Sequence, residues 1–271
     1  RPGTVMTGAT VTGVTPDGRI TNGGGGGHHD AFDLIVAADG IRSTVRGSLP
    51  GDPGIAYAGY STWRGITDGP IDLGGEAGET WGRGRRFGIA PLADGRAYWF
   101  AVVTAPRDAP GDPGDLRRLY DDWHAPIPAL IAATSPERVQ YLPIDELARP
   151  SASLVHGRIV LLGDAAHAMT PNLGQGGGQA MEDAATLAAL LAPLATHASP
   201  DAASLDAALR RYDGLRRPRT RRIAAQSRLI GRLGHTRGAV TTALRDLVLA
   251  ATPSAALRRQ LLSVQEWDPP A

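Results

Sequence analysis

Arg158-Ile159-Val160-Leu161-Leu162-Gly163-Asp164 is a short apolar run that ends on a glycine and an acid. A run of this length, bounded by turn signals, reads as a strand buried on both faces, as in a parallel sheet. It continues into Ala165-Ala166-His167-Ala168-Met169-Thr170-Pro171-Asn172-Leu173-Gly174-Gln175-Gly176-Gly177-Gly178-Gln179, a proline turn followed by a glycine-rich loop. Beyond it Met181, Ala184, Ala185, Ala188 and Leu191 recur at helical spacing. Glu182 and Asp183 are expected in the first turn of that helix, where the macrodipole favours acids. Strand, loop and helix together make a βα unit, and such units bind ligands at the carboxyl end of the strand. Asp164 is delivered to that edge, where it could accept hydrogen bonds from sugar-like hydroxyls. Glycines let backbone N–H groups approach a ligand, and a helix N-terminus offers partial positive charge to an anion. His167 reads as a packed, hydrogen-bonded histidine and not as a base.

A second run of the same form lies upstream. Leu34-Ile35-Val36-Ala37-Ala38 is bounded by Asp33 and by Asp39-Gly40, so two buried strands end in an acid beside glycine. Ser43 and Arg46 follow one helical turn apart, and arginine suits a pyrophosphate. Between the two runs the texture changes. Tyr60–Ile66, Thr80–Trp81, Arg86–Ala90 and Ala97–Val103 alternate or are aromatic-rich, like antiparallel strands, and four of the five tryptophans fall here. Leu116–Trp123 reads as a short helix. Val11–Val14 and Arg19–Thr21 flank an Asp17-Gly18 hairpin turn, and Gly23–Gly27 forms a loop. The adjacent His28 and His29 lack the spacing of a chelating pair. Residues 204–234 are a long helix with a possible bend at Pro218, and 238–262 are helical.

The expected fold is α/β. A Rossmann-like domain is split into 1–54 and 146–200, an antiparallel-sheet domain at 55–145 is inserted in it, and helices occupy 201–271.

Composition removes several chemistries. The chain has no cysteine and no lysine, so it holds no thiolate metal site, no cysteine nucleophile, no P-loop lysine and no Schiff base of its own. Its net charge of +1 gives no general attraction to nucleic acid. Residues 210–237 hold ten arginines against one acid, Asp213, but at helical spacing with apolar neighbours they read as a solvated helix face. No apolar run is long enough for a membrane helix and no secretory leader opens the chain, so a cytoplasmic protein is expected.

The two strand ends and the glycine loop resemble the class A flavoprotein monooxygenases, the p-hydroxybenzoate hydroxylase-like family. Gly163-Asp164 is similar to the family's GD motif, whose aspartate contacts the ribityl chain of FAD. Pro171 through Gly176, including Gly174 and Gln175, is similar to the loop beside the isoalloxazine ring, and Gly177 joins these as a cofactor-binding candidate. Asp39-Gly40 with Arg46 resembles the DG motif, which serves FAD and NADPH together. Gly178 stands where many relatives carry asparagine. Tyr60–Gly65 and Arg86–Leu92 resemble substrate-domain strands of the urate and salicylate hydroxylase-like branch, which makes Arg86 and Tyr98 the candidates to face flavin or substrate.

The resemblance implies an FAD-dependent monooxygenase. NAD(P)H would reduce the flavin, dioxygen would form a C4a-hydroperoxide, and an aromatic or purine-like ring would be hydroxylated. A flavin reductase or dehydrogenase on the same scaffold, and a non-catalytic fragment, are the rival readings. The family's G-x-G-x-x-G unit has no match: Gly23–Gly27 fails at His28 and Gly174–Gly178 fails at Gln179. The expectation is therefore a chain incomplete at its N-terminal side that holds FAD weakly on its own.

Overall fold

The computed structural model describes residues 5–22, 32–194 and 201–270. The Gly23–Gly27 loop and the histidine pair lie outside the described residues. In chain order the elements are β1 (Val11–Val14), β2 (Ile20–Asn22), β3 (Ile35–Ala37), α1 (Thr44–Ser48), β4 (Ile55–Ile66), β5 (Gly78–Trp81), β6 (Arg85–Pro91) and β7 (Ala97–Val103). Then come α2 (Pro113–Tyr120), α3 (Ile127–Ala132), β8 (Gln140–Leu147), β9 (Val155–His156), β10 (Ile159–Leu161), α4 (Asp164–His167), α5 (Gly176–Leu191), α6 (Ala202–Gly234), α7 (Ala239–Ala251) and α8 (Ser254–Gln265). The fold is mixed α/β, with an antiparallel sheet and C-terminal helices.

The chain divides into two compact units. The first takes Arg1–Ala56, Asp145–Arg228 and Arg258–Ala271; the second takes Tyr57–Ile144 and Leu229–Leu257. The helices after residue 200 are thus shared between the units and do not form a body of their own.

In the first unit β3 and β10 pair in parallel, Ile35 to Ile159 and Ala37 to Leu161. β9 closes the other side of β10 in antiparallel fashion. β10, with a neighbour on each side, is buried throughout. β3 lies at the edge of this sheet and departs from the expectation of two buried faces: Val36 is 44% exposed. Ile35, Leu161, Leu187, Leu209 and Tyr212 build the core between sheet and helices, each worth about 1.5–3 kcal/mol on burial. α5 opens on three glycines, which are the poorest helix formers after proline, and is carried by the alanine-rich stretch that follows. α6 continues through Pro218, although proline removes one ladder bond there.

In the second unit the sheet order is β5-β6-β7-β4-β8. One face carries Trp63, Phe87 and Trp99, which pack on Leu116 and Tyr120 of α2 and Leu130 of α3. The indole N–H of Trp99 donates to Thr134 at 2.8 Å, and the Tyr120 hydroxyl donates to the Val102 carbonyl at 2.8 Å. Register puts Arg86 beside Val102, Gly88 beside Phe100 and Ala90 beside Tyr98, so these residues share the opposite face. Sequence periodicity located β4 to β7 to within a few residues. It missed α3, which has only six residues, and β8, whose pattern is interrupted by Pro143. It also merged α7 and α8, which separate at Thr252 and Pro253 because proline favours an extended residue before it.

Gly88 is small for a steric reason. A Cβ there would stand 2.0 Å from Cζ of Phe100, whose ring lies across the strand. Gly88→Ala is expected to cost about 1–3 kcal/mol by overpacking, read from the urea midpoint of the second unit. Phe100→Leu should recover part of that loss in the double variant. An additive double variant would show that the ring is free to move.

Candidate functional site

Both parallel strands of the first unit end at one cleft. It has a volume of about 300 Å³ and is lined by Ala38, Gly40, Leu162, Gly163, Asp164, Gly176, Gly177 and Ala180. Gly163 has φ +60°, a left-handed turn that sends the chain from β10 into α4 and leaves the Asp164 side chain exposed at the cleft. A Cβ on Gly163 would lie 3.1 Å from that of Ala180, so strand end and helix pack closely there. Across the cleft α5 begins. Its N-cap Gln175 makes no side-chain capping bond and its first turn holds no acid. The leading amides of the helix are thus left for an outside acceptor. Cβ atoms built on Gly40 or Gly177 would meet nothing within 4 Å, and one on Gly176 would meet only Asp164 Oδ1, at 3.9 Å. The glycines therefore border open space, with a carboxylate on one wall and uncapped amides on the other. This donor and acceptor set fits a hydroxyl-rich chain and the polar edge of a ring, as FAD presents. Pro171 and Gly174 form the tight turn that aims the loop, with Gly174 at φ +63°.

The wall is held from behind. Glu182 and Asp183 were expected in the first turn of the helix, but α5 starts at Gly176, so both lie beyond that turn, and both are buried. Asp183 Oδ2 accepts from the Gly163 amide at 2.9 Å and from His167 Nε2 at 2.6 Å, and Oδ1 accepts from Arg216 at 2.7 Å. Glu182 takes Arg216 and Arg219. Arg216, only 1% exposed, also donates to the Gln179 side chain at 2.8 Å. The arginine-rich helix is therefore more than a solvated face: two of its arginines are spent on α5. Burial pushes the Asp183 and Glu182 carboxyls up, but the His167 and Arg216 contacts outweigh it for Asp183. Arg219 and Arg216 do so for Glu182, and both carboxyls end below their ordinary values.

The first strand end is also organised internally. Asp39 accepts from the Ser43 hydroxyl at 2.5 Å and the Val45 amide at 3.2 Å, and so holds the start of α1. Arg46 is buried. It donates to the carbonyls of Ile41 at 2.6 Å and Ala165 at 3.0 Å, and to Asp52 at 2.9 Å. Its guanidinium ties the Gly40 turn to α4, and it does not line the cleft.

In the second unit Arg86 is 2% exposed. It pairs with Glu79 at 3.0 Å, lies over the rings of Tyr60 and Trp81, and donates to His235 Nε2 at 3.3 Å. The ring of His235 stacks on Tyr60 with centroids 4.1 Å apart, and Nδ1 meets the Thr104 hydroxyl at 3.0 Å. Burial, helped by the charge of Arg86, pushes the His235 ring down to about 3. Tyr98, half-buried, is on the same sheet face as Arg86 and two cross-strand positions further along β7. Sequence reasoning singled out Arg86 but not its partners Glu79 and His235, which come from a neighbouring strand and from the turn that follows α6.

Known proteins resemble this chain over most of its length. The FAD-binding domain family matches residues 4–227. Aurachin C monooxygenase/isomerase of Stigmatella aurantiaca is 42% identical over 221 residues, 80% of this chain and 55% of that protein. The FAD-dependent urate hydroxylase of Klebsiella pneumoniae subsp. pneumoniae is 37% identical over 205 residues, 72% of this chain and 50% of that protein. The crystal structure of Klebsiella pneumoniae HpxO with FAD and uric acid is 31% identical with a TM-score of 0.78, over 91% of this chain and 63% of that one. The chain belongs to this FAD-binding domain family and is similar to urate hydroxylases within it. It spans about half the length of the curated relatives it matches. Among the described residues no helix is long and apolar enough to cross a membrane.

Two outcomes follow from the buried charges. Asp183→Ala takes from Arg216 one of its two carboxylates and from His167 and the Gly163 amide their shared acceptor, and is expected to cost about 3–5 kcal/mol in urea unfolding. The depressed carboxyls of Asp183 and Glu182 stabilise the fold at neutral pH, and that contribution fades on acidification below the ordinary carboxylate range. A loss below 1 kcal/mol would remove Asp183 from its central place. His235 acts in a different window. Its ring stays neutral in the fold while the unfolded ring takes a proton below pH 6.5, so stability falls as pH drops from 6.5 toward 3. His235→Gln should flatten that part of the stability curve, and an unchanged slope would contradict the assignment.

Proposed function

We propose that the protein carrying this chain binds FAD and hydroxylates an aromatic or heteroaromatic ring, with NAD(P)H as reductant and dioxygen as oxidant. The observation that carries this is the glycine-lined cleft at the paired ends of β3 and β10, where exposed Asp164 faces the uncapped start of α5. Bound flavin would take electrons from the nicotinamide and deliver one oxygen atom of dioxygen to the substrate.

The residues of the chain divide the work. Asp164 accepts hydrogen bonds from the polyol of the cofactor. The amides of Gly176 and Gly177 donate to the polar ring edge, and the dipole of α5 favours negative charge there. Gln175 and Gly174 set the entry to that turn, and Pro171 stiffens it. Asp39 and Arg46 act as positioning residues that keep the Gly40 turn next to Gly163-Asp164. Tyr98 offers an aromatic and hydrogen-bonding surface to a ring substrate. Arg86, already matched by Glu79, keeps that sheet face in place. Uric acid in the HpxO structure supports a purine-like ring as one member of the substrate class.

Incubation with NAD(P)H, labelled dioxygen and candidate rings is the direct test. One labelled oxygen atom per product ring is expected. Flavin reduction with no labelled product across the panel would favour a reductase instead. Asp164→Ala is expected to weaken FAD binding by about 2–4 kcal/mol, the worth of two hydrogen bonds to a charged acceptor. Unchanged affinity in a fluorescence titration would remove Asp164 from the site.

A further inference from the structure

The glycine loop of the cleft is fastened at both ends to one face of α6. Arg216, Thr220, Ile223 and Ser227 follow one another at helical spacing and are all buried, so they form a single stripe of that helix. At the far end of the loop Arg216 donates to the Gln179 carbonyl at 3.2 Å and to the Gln179 side-chain oxygen at 2.8 Å. At the near end Ser227 donates its hydroxyl to the Thr170 carbonyl at 2.6 Å. The one hydroxyl proton of Ser227 is spent there, so in the 2.9 Å contact between the two hydroxyls Thr170 donates and Ser227 accepts. Asn172 closes this clamp. Its Nδ2 donates to the Ser227 carbonyl at 2.8 Å and to Thr170 Oγ1 at 3.0 Å. The two anchors stand about 16 Å apart along α6, at the helical rise per residue, and that length of helix fixes the span of Pro171–Gly178.

The near end is also stiff. Thr170 is extended, with φ −60° and ψ 149°, which suits the residue before a proline. Pro171 locks its own φ, and its carbonyl accepts from the Gly174 amide at 2.9 Å. A shift at Thr170 therefore passes through the turn to the first amides of α5. Side chains built on Gly174 or Gly177 would meet nothing within 4 Å, so these glycines are not held in place by packing around them. Their position depends on the two anchors. Thr170 is 2% exposed and Ser227 is fully buried. Without the Ser227 hydroxyl, the Thr170 carbonyl would lose this donor and the Thr170 hydroxyl this acceptor, at a buried site where unpaired groups are costly. They regain partners by moving toward water, and Pro171 carries the loop with them.

We propose that Ser227 is a positioning residue for the flavin ring: through Thr170 and Asn172 it sets where the loop Gly174–Gly177 stands against the polar edge of bound FAD. This rests on the reading of the cleft as an FAD site. Ser227 touches no part of that cleft itself and acts only through the clamp.

The experiment compares Ser227→Ala with Thr220→Val in the protein loaded with FAD and in the protein without it. Thr220 lies on the same buried stripe, but its hydroxyl bonds only to carbonyls of its own helix, Arg216 at 3.1 Å and Arg217 at 3.3 Å. Thr220→Val thus removes a buried hydroxyl from α6 and leaves the loop alone. In Ser227→Ala without FAD, hydrogen exchange at the amides of Asn172–Gly177 should speed up about tenfold, as expected for one lost buried hydrogen bond. With FAD, the long-wavelength absorption band of the flavin should shift and the FAD Kd should rise about fivefold or more. Thr220→Val should leave exchange in the loop, the band and the Kd as in the wild type. Equal changes in the two variants would make Ser227 a merely structural residue and overturn the proposal. So would a wild-type band and wild-type loop exchange in Ser227→Ala. A wild-type protein that takes up no flavin would instead overturn the FAD reading, and this proposal with it.

Discussion

The carboxylate of Asp183 is the contact on which the first unit turns. One oxygen receives the Gly163 amide and the His167 ring, and the other receives Arg216. Three elements meet there: the end of β10, the short α4 and the long α6, all fastened to α5. A buried carboxylate with this many donors stays ionised and is hard to replace. Because Gly163 is pinned from behind, Asp164 is forced outward, and because α5 is pinned at its second turn, its glycine amides face the same space. The cleft is thus a by-product of satisfying a buried charge. Stability and binding geometry are set by the same atoms.

The second unit uses a buried cation in a similar way. Arg86 is surrounded by Glu79, Tyr60, Trp81 and His235, so a charge in the sheet is offset by a carboxylate, two rings and a neutral imidazole. Gly88 next to it leaves room for the ring of Phe100. The result is a sheet face of aromatic and polar groups instead of a second apolar core. The opposite face, with Trp63, Phe87 and Trp99, carries the packing. One face can then be varied for recognition while the other keeps the unit folded.

The strands β3 and β10, the turn at Gly163-Asp164 and four of the five strands of the inserted sheet could be read from the sequence, because each depends on neighbours a few residues apart. A strand ending in glycine and acid announces itself locally. Asp183 was placed by the helix dipole and Arg216 by periodicity, and neither rule looks across 33 residues of chain. A signal was nonetheless present. Two adjacent acids on one helix and arginines three apart on the next are complementary charges at matching spacing. The bond from Ser227 to Thr170 was out of reach, since 57 residues of chain separate the two. Arg46 likewise reads as a phosphate ligand from its type, whereas three internal acceptors claim it.

The account stands most directly on where the flavin sits. A crystal structure of the protein with FAD should show the ribityl hydroxyls on Asp164 and the polar ring edge on the amides of Gly176 and Gly177, with Asp183 still joined to Gly163, His167 and Arg216. FAD bound elsewhere, with the cleft between Gly40 and Gly177 filled by water, would contradict it.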